Sequence, residues 1–149
     1  MKFLLNAIAP PILVSALATS VVAQSAGDDH AAGEALFVQH AVSATLSDGT
    51  LTLNDIDKHM IAFSDRPFRA TMAFPTEGLI EIWNKGQDSF SDDPPNAVLM
   101  GEVDGKAASL IVELTNPALS DGTLTFEYVL LKGEDSVTLD RSYMVLDET

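Results

Sequence analysis

Cysteine is absent from this chain. That excludes disulfide staples, thiolate metal sites, a thiol nucleophile and a lipidated thiol near the N-terminus, so stability must come from packing. Basic residues are scarce, with eight Lys and Arg against 22 Asp and Glu and a net charge of −14. Proteins that hold nucleic acid by its phosphates, or lie on anionic lipid, cluster cations to do so, and neither partner is expected here. Metal ions, cationic peptides and basic proteins remain electrostatically allowed, while the plainer use of so many acids is a soluble surface. Catalytic signatures are also missing. There is no Gly-x-Ser-x-Gly elbow, no glycine-rich phosphate loop and no His-Glu-x-x-His pair. With few aromatics beyond Trp83 and Phe90 to line a sugar cleft, paired carboxylates for glycoside hydrolysis gain no support, and an enzyme is not expected.

The N-terminus supplies the clearest positive signal. Lys2 gives a short basic start, residues 3–22 are largely apolar, and Val21-Val22-Ala23 offers the small residues a signal peptidase needs. Asn6, Pro10 and Pro11 interrupt the apolar run, so a membrane anchor of about 20 clean residues is disfavoured. The expectation is a signal peptide over 1–23, a polar flexible lead-in over 24–33 and one domain over 34–149. That places the mature protein in the periplasm or outside the cell, with no stable membrane anchor.

From residue 34 the pattern has mostly period two, the mark of half-buried strands. Val38, His40, Val42, Ala44 and Leu46 are expected on one face, and Ser47-Asp48-Gly49 turns the chain into Leu51 and Leu53. Further strands are expected over 58–64 and 69–74. Thr76 then caps a helix over 77–85, with Leu79, Ile80, Ile82 and Trp83 as its apolar stripe and Gly86 as its stop. A polar loop follows to Asn96. Strands resume over 97–103, 108–115, 123–132 and 137–146, with a turn at Asp104-Gly105 and a loop through Pro117. Many short strands, frequent turns and one short helix predict an all-β fold, an antiparallel two-sheet sandwich of immunoglobulin-like type, with a small open β-barrel as the alternative. The heptad Leu46-Ser47-Asp48-Gly49-Thr50-Leu51-Thr52 recurs as Leu119-Ser120-Asp121-Gly122-Thr123-Leu124-Thr125. It reads either as two related hairpins or as one turn chemistry used twice.

The unusual residues concentrate in Phe63-Ser64-Asp65-Arg66-Pro67, Arg69, Trp83, Asp88-Ser89-Phe90 and Asp92-Asp93-Pro94-Pro95-Asn96-Ala97. This block resembles one shared by an uncharacterised group of small exported, mainly bacterial, β-rich proteins. The resemblance implies a signal peptide and a strand-rich domain, and it brings no activity with it. Read from the residues, Arg66 and Arg69 either clasp Asp92, Asp93 or Glu77 across two loops or help to frame a polar pocket. The candidate ligand-binding set is Asp65, Arg66, Arg69, Trp83, Asp92, Asp93 and Asn96.

Asp88, Asp92 and Asp93 could offer oxygens to calcium, although their spacing is not that of an EF-hand. Asn54, Asp55 and Asp57 form a weaker oxygen cluster. His40, His59 and Met60 are the rival copper or zinc ligands, without a His-x-His or thiolate to support them. No cofactor is expected unless the acidic loop takes calcium. The resulting expectation is a monomeric, exported, non-catalytic binding or accessory module for a small molecule or protein. The alternatives are a metal-binding protein and a structural protein that associates through exposed strand edges.

Overall fold

The computed structural model describes residues 35–64, 67 and 69–147. The expected signal peptide and lead-in, and the candidate residues Asp65 and Arg66, lie outside the described residues. The class is all-β and antiparallel with one short helix. In chain order the elements are β1 (Ala35–Ser47), β2 (Thr50–Ile56), β3 (His59–Ser64), β4 (Thr71–Pro75), α1 (Thr76–Ile82), β5 (Asn96–Val103), β6 (Lys106–Ser120), β7 (Thr123–Lys132) and β8 (Thr138–Asp147).

The expected two layers are not two separately bonded sheets. All eight strands form one sheet in the order β2-β7-β6-β5-β8-β1-β3-β4, and a further pairing of β2 with β1 closes six of them into a ring. Closure is possible because β1 is long enough to share one edge between two partners. Its half from Ala41 to Ser47 pairs with β2, and its half from Ala35 to Val38 pairs with β3. Asp57 and Lys58 bulge out between those pairings. Beyond the bulge β2 turns toward β7, and β3 carries β4 away from the ring.

Three hairpins are closed by Asp-Gly, at Asp48-Gly49, Asp104-Gly105 and Asp121-Gly122. In each, the Asp has φ between 48° and 51° and the Gly between 74° and 76°. Positive φ at both central residues matches the right-handed twist of the flanking strands, and Asp and Gly tolerate it best. The two identical heptads make two of these hairpins, which lie side by side through β2 and β7. Thr52 pairs with Thr125, while Leu51 pairs with Phe126 and Leu53 with Leu124. Exchanging the two copies maps this pairing onto itself, so a local two-fold runs through the Thr52–Thr125 pair. The strand order of the ring is likewise preserved when β1 and β6, β2 and β7, and β8 and β5 are exchanged.

The inward face holds a continuous core that includes Leu46, Leu51, Leu53, Leu99, Val112, Leu114, Leu124, Phe126, Leu139, Met144 and Leu146. The face expected for β1 is split. Ala44 and Leu46 point inward, but Phe37, Gln39 and Ala41 are the buried residues before them, and Val38, His40 and Val42 face outward. Opposite Val42 in register, Asp55 of β2 and Arg141 of β8 both adopt left-handed backbone with φ of 50°. Their turns shift the side-chain phase of three adjacent strands together and crease the sheet. Gly101 of β5 sits beside this crease. A Cβ there would lie 2.9 Å from the Asp140 carbonyl oxygen, so the close approach requires glycine.

Strand β6 runs through Pro117 where a loop was expected. A register shift between Thr115 and Ala118, with Asn116 left-handed, takes up the proline at a bulge, where its missing N–H breaks no ladder bond. The helix ends three residues earlier than expected. Pro75 occupies the N-cap, and the Thr76 side chain is turned away from capping toward the core.

Candidate functional site

Three separate chain segments build a groove of about 840 Å3. Ile56, Lys58 and His59 come from the β2–β3 bulge. Pro75, Thr76, Glu77, Ile80 and Glu81 come from the β4–α1 junction, and Leu119, Asp121 and Gly122 from the β6–β7 hairpin.

The segments are tied together by backbone. The N–H of Ile56 donates to the Gly122 carbonyl at 3.0 Å, and the N–H of Thr76 donates to the Lys58 carbonyl at 3.0 Å. Beneath them Gln39, fully buried in β1, acts as a polar staple. Its Nε2 donates to the carbonyls of His40 and Asp57, each at 3.0 Å, and its Oε1 accepts the Thr76 hydroxyl at 2.8 Å. The Thr76 Oγ1 also lies 3.0 Å from the Asp57 carbonyl, and the Asp57 N–H reaches the His40 carbonyl at 3.3 Å. The bulge therefore has its backbone groups satisfied despite leaving the ladder, as burial demands. Gln39 thus fixes the bulge and the start of α1 in one network, which sets the shape of the groove.

Chemically the groove has an apolar lining of Ile56, Pro75, Ile80 and Leu119, with Glu77, Glu81 and Asp121 set against Lys58 and His59. Its volume lies within the range of about 300–1,000 Å3 typical of small-molecule sites. Such a lining suits a compact amphipathic molecule that presents apolar surface inward and charge at the mouth.

The corner expected from the sequence takes a different form. Trp83 is only 3% exposed and packs on Phe90 and Phe126, with ring centroids 5.0 and 5.6 Å away. Its indole is a core element that also borders a smaller hollow beside Asn84, Ser91 and Asn116. Arg69 has left-handed backbone with φ 45° and makes no ion pair among the described residues. Asp92 accepts from the Ser89 hydroxyl at 3.2 Å, and the N–H groups of Asp92 and Asp93 both donate to the Ser89 carbonyl at 2.9 Å. The loop is thus wound on itself, and Asn96 opens β5 with its side chain exposed.

Among the described residues no three His, Asp or Glu side chains converge closely enough to hold a metal ion, and Asp88, Asp92 and Asp93 are no exception. The His40, His59 and Met60 set is divided by the sheet, since Met60 is buried on the core face of β3 while both imidazoles lie on the opposite face. His40 instead faces Asp57, with Nδ1 to Oδ2 at 3.4 Å, and packs beside Tyr143.

The groove was not legible in the sequence because its lining residues are ordinary and far apart in the chain. The one available signal was Gln39, a polar residue at a position whose strand neighbours alternate inward. No protein-family model, no curated protein and no solved structure matches this chain. Among the described residues no helix is long and apolar enough to cross a membrane.

Proposed function

We propose that the protein is an exported, non-catalytic binding module whose ligand site is the groove between the β2–β3 bulge, α1 and the β6–β7 hairpin. The observation that carries this reading is the groove itself: a ligand-sized, apolar-lined concavity with a charged mouth, held in shape by a buried and fully bonded Gln39–Thr76–Asp57 network. Thr76 is the one hydroxyl in the lining, and it is buried with its proton shared between the Gln39 Oε1 and the Asp57 carbonyl and, among the described residues, no general base bonded to it, which favours binding over nucleophilic chemistry.

Thermal unfolding in the presence of small amphipathic amines, carboxylates and zwitterions tests it. A compound at about 100 times its dissociation constant adds roughly 2.7 kcal/mol, a rise of several degrees in Tm. The rise is expected for the native protein and lost in Ile80→Arg, which fills the groove from the helix. If no compound stabilises the native chain, or the variant responds equally, the groove is not the site.

A further inference from the structure

Every strand of the ring is paired on both sides, whereas β4 has a partner on one side only, with no strand beyond it among the described residues. Natural sheets guard such an edge with charge, proline or a bulge. Thr71-Met72-Ala73-Phe74 has none of these, and Pro75 comes only at its end. Bonds from the Ser64 N–H to the Ala70 carbonyl and from the Thr76 N–H to the Lys58 carbonyl fix which groups face β3. By alternation the N–H groups of Thr71 and Ala73, and the carbonyls of Thr71, Ala73 and Pro75, point to the open side.

We infer that the β4 edge pairs with the β4 edge of a second copy of this chain, antiparallel and centred on Ala73. In that register each Ala73 N–H donates to the other Ala73 carbonyl, and each Thr71 N–H donates to the Pro75 carbonyl of the second copy. Pro75 then falls where its missing N–H leaves only a flanking bond unmade. Met72, which is 58% exposed, comes opposite Phe74 of the second copy, where thioether and ring make a favourable contact. On the other face, Val98, Val145, Val38, Ile61 and Ala73 already form one apolar row across β5, β8, β1, β3 and β4. The pairing continues that row into the second copy and covers the region of Ile61, otherwise 57% exposed.

Charge selects both the partner and the register. Residues 58–75 hold three of the chain's eight basic residues and one of its 22 acids, so the copies meet where their mutual repulsion is least. Centring on Ala73 brings Arg69 of one copy toward Glu77 of the other. Centring on Thr71 would bring like-charged arginine loops together instead.

Because the chain has no cysteine, Ala73→Cys introduces its only thiol. Directly opposed residues in such a pair have Cα atoms about 5.5 Å apart, within disulfide reach. Mild oxidation of the purified Ala73→Cys protein should give a covalent dimer far faster than Val129→Cys, an exposed position on another strand. Sedimentation of the native protein should show a concentration-dependent dimer, with a dissociation constant raised about tenfold or more by Ala73→Lys. Circular dichroism checks that the lysine variant stays folded. A native protein that is monomeric at millimolar concentration, equal cross-linking at the two cysteines, or a dimer indifferent to a folded Ala73→Lys variant would each overturn the inference.

Discussion

Gln39 and Thr76 are predicted to be coupled in stability, and the coupling can be measured. Both side chains are buried, and the Thr76 hydroxyl donates to Gln39 Oε1 at 2.8 Å. Thr76→Val keeps the shape but leaves Oε1 without its donor. Gln39→Leu strips the Asp57 and His40 carbonyls of the Nε2 donor and the Thr76 hydroxyl of an acceptor. Each change leaves a buried polar group short of a partner, at a cost of about 1–3 kcal/mol. In the double variant the Oε1 penalty disappears with its owner, so the combined loss should fall short of the sum by about 1 kcal/mol. Urea unfolding of the native protein, both single variants and the double variant gives this directly, provided the slope with denaturant stays constant. Additivity within about 0.3 kcal/mol would mean that the pair is not coupled, and the account of how the groove is held would fail.

Trp83→Ala should destabilise the fold by about 3–5 kcal/mol, because the indole fills the core between Phe90 and Phe126; fluorescence of the native protein, from its single tryptophan, should be blue-shifted and shielded from iodide, whereas ready quenching would put it at a surface site. Gly49→Ala and Gly122→Ala should each cost more than about 1 kcal/mol, and by similar amounts, since equivalent turns place both at φ 76°; clearly unequal unfolding midpoints would count against the local two-fold. Burial, followed by its hydrogen bond to the Asp135 carboxylate, pushes the Tyr128 phenol from about 10 up to about 12. Its folded value exceeds its unfolded one, so this contribution is complete below pH 10 and is lost as pH rises toward 12. Phenolate absorbance should show one late-ionising tyrosine, and Asp135→Asn should bring it earlier; an unchanged titration would remove Asp135 as a cause.

Turn chemistry and the strand count could be read from the sequence because they are local. Each Asp-Gly pair closes a hairpin, and Leu124, Phe126 and Tyr128 alternate inward as their spacing implies. The phase of β1 could not be read that way. Val38-x-His40-x-Val42 looks as apolar as Phe37-x-Gln39-x-Ala41, and what decides between them is a crease made by left-handed residues in two other strands. The form of the sheet escaped for a related reason, since ring closure depends on β1 dividing one edge between β2 and β3. Trp83 drew attention as a rare residue, but rarity says nothing about exposure, and its partner Phe126 lies more than forty positions away. The groove draws its lining from three segments whose residues are individually unremarkable.

The local two-fold has a consequence for how work is divided within the chain. The exchange of strands that preserves the ring accounts for β1, β2, β5, β6, β7 and β8, and leaves β3, β4 and α1 without counterparts. Those three elements form a single insertion within one half of the ring, between its strands β2 and β5. The insertion contributes most of the groove lining and the open β4 edge, so the symmetric part serves as a chassis. Changes aimed at altering what the protein recognises belong at exposed positions between Asp57 and Pro95, with Met60, Leu79, Trp83 and Phe90 kept because they complete the core of the ring.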